Sequence, residues 1–158
     1  MSMQKSGSAL SWFTTTDSIH GKSQNFLTLL ARLLIGLIFI LSGSQKLTNI
    51  AAFAATMPQR GLPDFLGYIA PFVEFAGGAL VILGFLTRPA CLIMIVFTLI
   101  ASFSTHDYWA SPPAQAYNNF IHFWKNVSMM GGMLLLLVTG PGKYALDAKL
   151  PSVLDPKP

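Results

Sequence analysis

Long apolar runs separated by short polar breaks dominate this chain. A membrane-spanning helix needs about 20 mostly apolar residues, and each of these runs, counted with its flanking aromatic residues, is long enough. The runs are apolar all round, whereas a helix of a soluble bundle would carry a charged outer face. The pattern therefore predicts an all-α protein, a four-helix transmembrane bundle. The predicted spans are Asn25–Gln45, Phe65–Leu86, Pro89–Thr105 and Lys125–Thr139.

Proline and glycine mark the breaks between the runs. Thr87-Arg88-Pro89 predicts a tight turn between the second and third spans, and Gly140-Pro141-Gly142 ends the fourth. Residues 1–24, rich in Ser, Thr and Gln, are expected to form a polar, mobile cytoplasmic tail. Residues 25–147 then form the membrane domain, and residues 148–158 form a short cytoplasmic tail.

The composition supports a membrane protein. Of 158 residues, 53% are hydrophobic and only 10% are charged, whereas soluble domains carry about 25% charged residues. The ten Lys and Arg residues are scattered without a basic cluster, which excludes a nucleic-acid partner. The single cysteine, Cys91, excludes an intrachain disulfide, and its apolar setting predicts a buried small side chain.

The distribution of basic residues predicts the orientation. Four spans put both termini on one side, and that side holds more Lys and Arg than the other, so both termini are expected in the cytoplasm. A cleaved signal peptide is rejected because Arg32 interrupts the first run. The basic residues of the terminal side are Lys5, Lys22, Arg88, Lys143, Lys149 and Lys157, and those of the opposite side are Lys46, Arg60 and Lys125.

One acidic residue, Glu74, lies inside the second apolar run. A carboxylate at membrane depth costs at least a few kcal/mol and usually faces a bundle interior with a partner. Arg32 lies about two turns inside the first span, and we expect it either to pair with Glu74 or to snorkel to the head groups. Glu74 is either a structural hydrogen-bond acceptor or a group for proton transfer or quinol contact.

Small residues recur at helical spacing and predict close helix contacts. Ala70, Gly77 and Gly84 repeat every seven residues on the second span, with Glu74 on the face of Ala70 and Gly77. Such faces allow the close backbone approach that drives helix packing in membranes. Glu74 is therefore expected at a helix interface. The predicted packing positions are Gly36, Gly43, Gly77, Gly84 and Gly132.

A second polar group flanks the third and fourth spans. It contains His106, Asp107, Asn118, Asn119, His122, Lys125 and Asn126, with Lys46 at the end of the first span. No HxxxH or HxxE spacing is present, so no metal site is predicted, and the histidines are interpreted as part of an interfacial belt. A pocket for a quinone head group, lined by His106, Asn126 and Glu74, is the alternative.

Several of these runs resemble the DoxX family. The resemblance lies in the run from Arg32 to Leu47, in Pro71-Phe-Val-Glu74-Phe-Ala-Gly77-Gly78, and in Leu83-Gly84-Phe-Leu-Thr87-Arg88-Pro89. It continues in Phe123-Trp124-Lys125-Asn126-Val127 and in Gly140-Pro141-Gly142 with Asp147. It covers most of the chain, from Arg32 to Asp147.

The resemblance implies a four-helix, multi-pass protein of the bacterial inner membrane. The family takes its name from a subunit of a thiosulfate:quinone oxidoreductase, and some members are linked to membrane oxidoreductase complexes. Its recurring Arg, Lys, Glu and His fall on four residues here. These are Arg32, Lys46, Glu74 and His106.

The sequence thus favours an accessory membrane subunit of a redox complex, which contacts quinone. Its expected polar core is Arg32, Lys46, Glu74, His106 and Asn126. No intrinsic cofactor or catalytic residue is predicted, so electron transfer would need quinone or an oxidoreductase partner. A small transporter and a membrane scaffold or assembly factor remain as alternatives, whereas an autonomous enzyme is disfavoured because no nucleophile or cofactor motif is present. The expected partner in every case is the lipid bilayer, and the oligomeric state stays open.

Overall fold

A computed structural model describes residues 21–150 as an all-helical bundle, and the described residues contain no strand. Four of the five α-helices are long and apolar enough to cross a membrane, which confirms the predicted fold class. Most of the predicted N-terminal tail, and residues 151–158, lie outside the described residues. The helices are α1 (Lys22–Leu47), α2 (Ile50–Ala54), α3 (Phe65–Leu83), α4 (Thr87–Thr105) and α5 (Pro113–Thr139), with single 3₁₀ turns at Pro58–Arg60 and Asp147–Lys149.

The last long helix begins well before its predicted start. α5 starts at Pro113 rather than at Lys125. Residues 113–124 mix polar with aromatic side chains, so they lack the continuous apolar pattern on which the prediction relied. Pro113 occupies the first turn, where the missing N–H of proline has no helical partner to lose.

The turn between α3 and α4 is held by the segment that follows α5. α3 ends at Leu83, because Gly84 adopts a left-handed conformation with φ of 64°. Gly84, a predicted packing position, ends that helix and also packs closely, because a Cβ atom on it would meet Ala145 and lie 2.7 Å from Nη1 of Arg32. The carboxylate of Asp147 accepts hydrogen bonds from the backbone N–H of Leu86 at 2.7 Å and of Thr87 at 2.8 Å, which caps the start of α4.

This capping contact also sets the charge state of Asp147. Burial by itself raises the pKa of the carboxyl group. The hydrogen bonds from Thr87 and Leu86 and the positive charge of Arg32 outweigh burial, and the pKa of Asp147 lies below its ordinary value. Asp147 is therefore a carboxylate at neutral pH and ties the C-terminal segment to the bundle.

Glycines set the close contact between α1 and α3, the most extensive contact in the bundle. Gly36 and Gly78 face each other, and a Cβ atom on either would lie 2.7 Å from the carbonyl oxygen of the other. A Cβ atom on Gly43 would lie 2.9 Å from the carbonyl oxygen of Pro71. The two backbones therefore touch directly, as small residues permit.

The other two predicted packing glycines lie against side chains. Gly77 faces Met94 of α4, and Gly132 of α5 faces Ile35 of α1. α4 packs against α5, and smaller contacts join α3 to α4 and α1 to α5. The four long helices therefore form a ring in the order α1, α3, α4, α5. The buried core consists of Phe39, Val81, Ala90, Cys91, Met94, Met133 and Leu136.

The two ends of the bundle differ. The end that contains the start of α1 and the segment after α5 is called the terminal end here, and the end that contains residues 48–64 and 106–112 is called the loop end. At the terminal end, the backbone N–H of Lys143 donates to the side-chain oxygen of Asn25 at 2.8 Å. The outer surfaces between the ends carry exposed leucine, isoleucine, valine and phenylalanine, as expected for contact with lipid.

Candidate functional site

A cavity of about 920 Å³ lies at the loop end, among α1, α3, α4 and α5. Four of the five residues of the predicted polar core line it, whereas Arg32 does not. Those four are Lys46, Glu74, His106 and Asn126. The volume falls within the range of about 300–1,000 Å³ that is usual for small-molecule sites.

The deep part of the cavity contains an ion pair between α1 and α3. Lys46 Nζ lies 2.7 Å from Glu74 Oε1 and 2.6 Å from Oε2. Ser42, one helical turn before Lys46, donates to Glu74 Oε2 at 3.2 Å. The Glu74 side chain is only 8% exposed, so Lys46 and Ser42 together provide the partners that a carboxylate at this depth requires.

Arg32 lies at the terminal end and does not meet Glu74. Its Nη1 donates to the carbonyl oxygen of Pro141 at 2.8 Å. Its Nη2 donates to the carbonyl oxygens of Ile82 at 2.8 Å and Tyr144 at 3.1 Å. Arg32 is also only 1% exposed. Both expectations for this residue, pairing with Glu74 and snorkelling, are therefore wrong.

The physical reason for the Arg32 correction is the path of the chain after α5. This segment folds back against α1 and α3, so main-chain carbonyls come within reach of the guanidinium group. Sequence patterns identify charged partners, but they do not indicate which carbonyls of an irregular segment will face a buried cation. Lys46 was predicted as part of the polar core, and its long side chain reaches Glu74 from the end of α1.

A buried hydrogen-bond chain connects α5 to α4 at the cavity. Asn126 Nδ2 donates to Ser102 Oγ at 3.1 Å, and that hydroxyl donates to the carbonyl oxygen of Thr98 at 2.7 Å. The Thr98 hydroxyl is buried and has no partner among the described residues. An unpartnered buried hydroxyl is uncommon in folded proteins, and Thr98 also lines the cavity, which makes its hydroxyl a candidate donor to a ligand or water.

The sequence reasoning missed Ser42 and Ser102. Ser102 lies one turn after Thr98 on α4, and both residues are buried. Ser42 lies one turn before Lys46 on α1. Helical spacing from a residue already placed in the polar core could therefore have identified both.

Two histidines stack at the open part of the cavity. The rings of His106 and His122 lie 5.0 Å apart between centroids. His106 Nδ1 is 3.5 Å from Asn119 Oδ1, and His122 Nδ1 is 3.2 Å from Lys125 Nζ. Within residues 21–150, no group of three metal-ligating side chains is present.

Burial decides the protonation of His106, which follows the last residue of α4. The pKa of His106 is lowered from 6.5 to about 4, chiefly by burial and also by the charges of His122, Lys125 and Arg60, although the hydrogen bond that its ring donates to Asn119 raises it. The imidazole is therefore neutral at neutral pH and can both donate and accept a hydrogen bond.

The polar wall of the cavity is rich in hydrogen-bond donors. Lys46, Arg60 and Lys125 line it, against the carboxylates of Glu74 and Asp107. In the part of the chain that the structure describes, the Lys46–Glu74 contact is the single ion pair. Its further donors include amide and hydroxyl groups. This wall suits a ligand that presents oxygen acceptors.

The apolar wall of the same cavity reaches the lipid-facing surface. Ile69 of α3 and Ile100 and Phe103 of α4 line the cavity, yet they are 51%, 58% and 56% exposed. A ligand in the cavity can therefore have its polar part against the donor-rich wall and an apolar part along side chains that face lipid.

Comparison with known proteins relates these residues to a family. The DoxX family model matches residues 27–107, about half of the chain. The chain is 37% identical to the inner membrane protein YphA of Escherichia coli over 131 aligned residues. The alignment covers 82% of this chain and 94% of that protein. This chain is 38% identical over 122 residues to the inner membrane protein YqjF of the same organism, with 77% and 90% covered.

A more distant likeness extends to a eukaryotic protein. A Surfeit locus protein 4 homolog of Drosophila melanogaster is 26% identical over 130 residues, which cover 81% of this chain but 42% of that protein. No solved structure matches the chain at a significant level.

Proposed function

The chain belongs to the DoxX family, and on that premise we propose that it is an accessory subunit of a membrane redox complex which binds the head group of a quinone. Its four spans, and its likeness to two inner membrane proteins, make it a multi-pass protein of the inner membrane. The cavity at the loop end is the proposed quinone site.

The observation that carries the proposal is the two-sided lining of this cavity. A quinone has carbonyl oxygens, which accept hydrogen bonds, and an isoprenoid tail, which requires an apolar environment. The donor-rich wall matches the head group, and Ile69, Ile100 and Phe103 match the tail. The unpartnered hydroxyl of Thr98 would find an acceptor in a bound carbonyl oxygen.

The residues of the site have different proposed roles. Thr98, Asn126 and Lys125 would hold the head group through hydrogen bonds, and neutral His106 would donate or accept at the open part of the cavity. Glu74 and Lys46 fix each other across α1 and α3 and so keep the shape of the deep part. Reduction of a quinone takes two electrons and two protons, so the electrons are assigned to a flavin or haem of a partner subunit and the protons to solvent at the open part of the cavity.

Purification from native membranes tests both parts of this proposal. The full chain is isolated in mild detergent, its bound lipids are extracted and quinone is quantified, and co-purifying proteins are identified by mass spectrometry. We expect near-stoichiometric quinone and a flavin- or haem-containing partner. Recovery of the chain alone without quinone would contradict the proposal.

Two lysine variants locate the quinone within the chain. Lys125→Met removes a donor that lines the cavity, whereas Lys22→Met removes an equal charge from an exposed position at the terminal end. We expect Lys125→Met to retain roughly a tenth of the quinone or less, since a hydrogen bond from a charged donor contributes about 1.5–3 kcal/mol. Lys22→Met should retain the wild-type amount, and equal retention by both variants would place the quinone elsewhere.

Transport of a small solute is a second candidate function. The observation that favours it is that the cavity opens at one end of the bundle only, as in one state of a transporter. The cavity lies at the loop end, while carbonyl contacts of Arg32 hold the terminal end together. A transporter would have to open that end, so flux into proteoliposomes would support transport. Bound quinone without flux would support the redox subunit.

A further inference from the structure

A second cavity lies at the terminal end, on the opposite end of the bundle from the proposed quinone site. Its volume is about 440 Å³, and it opens sideways between α1, the end of α3 and the segment after α5. None of its lining residues belongs to the loop-end cavity. The lining residues are Leu29, Arg32, Leu33, Ile82, Leu83, Lys143, Tyr144, Ala145, Leu146 and Lys149.

The charge of this cavity is entirely positive. Arg32, Lys143 and Lys149 line it, and none of the lining residues from the described part of the chain is Asp or Glu. The nearby carboxylate of Asp147 is occupied by the backbone N–H groups of Leu86 and Thr87. Three lining cations outnumber the single nearby carboxylate of Asp147, whose charge also acts on Arg32, and the net positive charge attracts an anion.

Arg32 retains a hydrogen-bond donor without a partner. Its two terminal nitrogens donate to three carbonyl oxygens. Its Nε atom is buried and has no partner among the described residues. A guanidinium group offers five N–H donors in a fixed plane and matches phosphate oxygens well. The buried side chain that lines the cavity therefore has capacity for an acceptor oxygen.

The remaining walls of the cavity are mostly apolar and exposed on the outside of the bundle. Leu33, Leu83 and Leu146 line it, and they are 41%, 52% and 40% exposed. A small soluble anion would leave these walls without a partner, whereas the acyl chains of a phospholipid would cover them. Basic pockets between membrane helices are known sites for anionic lipid head groups.

We propose that the terminal-end cavity binds the phosphate of an anionic phospholipid, with Lys143, Lys149 and Arg32 at the head group and the leucines along the acyl chains. Lys143 and Lys149 lie on the exposed rim, and Arg32 lies at the buried wall. A bound lipid would therefore contact the segment after α5, in which the carbonyl oxygens of Pro141 and Tyr144 accept hydrogen bonds from Arg32.

Native mass spectrometry of the full chain in detergent tests this proposal by titration with three probes. These are phosphatidylglycerol, phosphatidylethanolamine and inorganic phosphate. We expect saturable binding of phosphatidylglycerol at least tenfold tighter than of the zwitterionic lipid, and no binding of inorganic phosphate at the same concentrations. Equal affinity for the two lipids would overturn the proposal, and so would binding of inorganic phosphate alone.

Charge variants locate the lipid site. Lys143→Gln combined with Lys149→Gln should weaken phosphatidylglycerol binding roughly tenfold or more, because each basic residue at the membrane surface contributes about fivefold. The charge-preserving pair Lys143→Arg and Lys149→Arg should retain binding, and Lys22→Gln serves as the control at the same end. Unchanged affinity for phosphatidylglycerol in the double Gln variant would overturn the assignment to this cavity. The preference of the wild type for phosphatidylglycerol over phosphatidylethanolamine is an independent test that needs no variant.

Discussion

Two charges on one helix have different surroundings: Arg32 is buried, and Lys46, which pairs with Glu74, is half-buried. They lie about 21 Å apart along α1. Arg32 is enclosed by main-chain carbonyls of α3 and of the segment after α5. The Lys46–Glu74 pair borders a cavity of about 920 Å³, whose other basic side chains, Arg60 and Lys125, form no ion pair within residues 21–150.

The comparison shows that two charges on the same apolar helix can have different roles in the structure, one joining chain segments and one bordering a cavity. Arg32 joins three segments of the chain, so its removal should affect folding most. Lys46 and Glu74 line the cavity of the proposed quinone site, so we expect their removal to affect binding as well as stability.

The largest expected effect is the loss of Arg32. Arg32→Met would leave the carbonyl oxygens of Pro141, Ile82 and Tyr144 without a donor in a buried place. We expect a loss of about 3–5 kcal/mol in the free energy of unfolding, measured by thermal unfolding in detergent. Arg88→Gln, which affects an exposed contact with Leu137 at the same end, is the control and should cost well under half as much.

The second prediction concerns the Lys46–Glu74 pair. Glu74→Gln leaves Lys46 without its ion-pair partner, and Lys46→Met leaves Glu74 buried without its own. Each single change should cost about 2–4 kcal/mol, and the double variant should be more stable than the sum of the two costs predicts. Additive costs in unfolding measurements would show that the pair contributes no coupling.

The third prediction concerns the α1–α3 contact that positions both charges. Gly78→Ala would place a Cβ atom 2.7 Å from the carbonyl oxygen of Gly36, so the helices must separate. We expect a loss of about 1–3 kcal/mol, together with weaker ligand binding at the loop end. Gly131→Ala is a matched control, because no atom lies within 4 Å of its new Cβ, and it should not destabilise the chain.

The smallest predicted effect is a pH dependence of stability that arises from His106 at the loop end. The pKa of His106 falls from 6.5 to about 4 in the folded chain, first because of burial. The unfolded chain therefore binds more protons between these values, so the stability contributed by His106 is complete above pH 6.5 and is lost as pH falls toward 4. His106→Gln should make the unfolding temperature depend less on pH between pH 7 and 4.5. An unchanged pH dependence would contradict its assignment to His106.

Much of the fold follows from the hydrophobic pattern. Long apolar runs and their Pro and Gly breaks predicted four spans, because helices in lipid must satisfy their own backbone hydrogen bonds. The start of α5 was missed because its first residues are polar and aromatic, and the protein packs this stretch beside the third span. Membrane orientation remains a prediction.

The candidate site was only partly accessible from sequence. Glu74 stood out because an acid in an apolar run is expensive. Arg32 was predicted as its partner, whereas Lys46 is the partner in the structure. Residue spacing along a helix indicates how far into the span a side chain lies, but not which of the cations of α1 will face Glu74. The carbonyl contacts of Arg32 depend on an irregular segment and could not be read from spacing. Lys46, His106 and Asn126 lie around one cavity because α1, α4 and α5 meet there.

Titration of the purified chain with a short-chain quinone tests the central claim most directly, with Thr98→Val as the decisive variant. Valine has the shape of threonine without its hydroxyl, and that hydroxyl has no partner among the described residues, so stability should not fall. We expect saturable binding to the wild type and to Thr98→Ser, and affinity roughly three- to tenfold weaker in Thr98→Val. Absence of saturable binding, or equal affinity in Thr98→Val, would contradict the quinone site at the loop end.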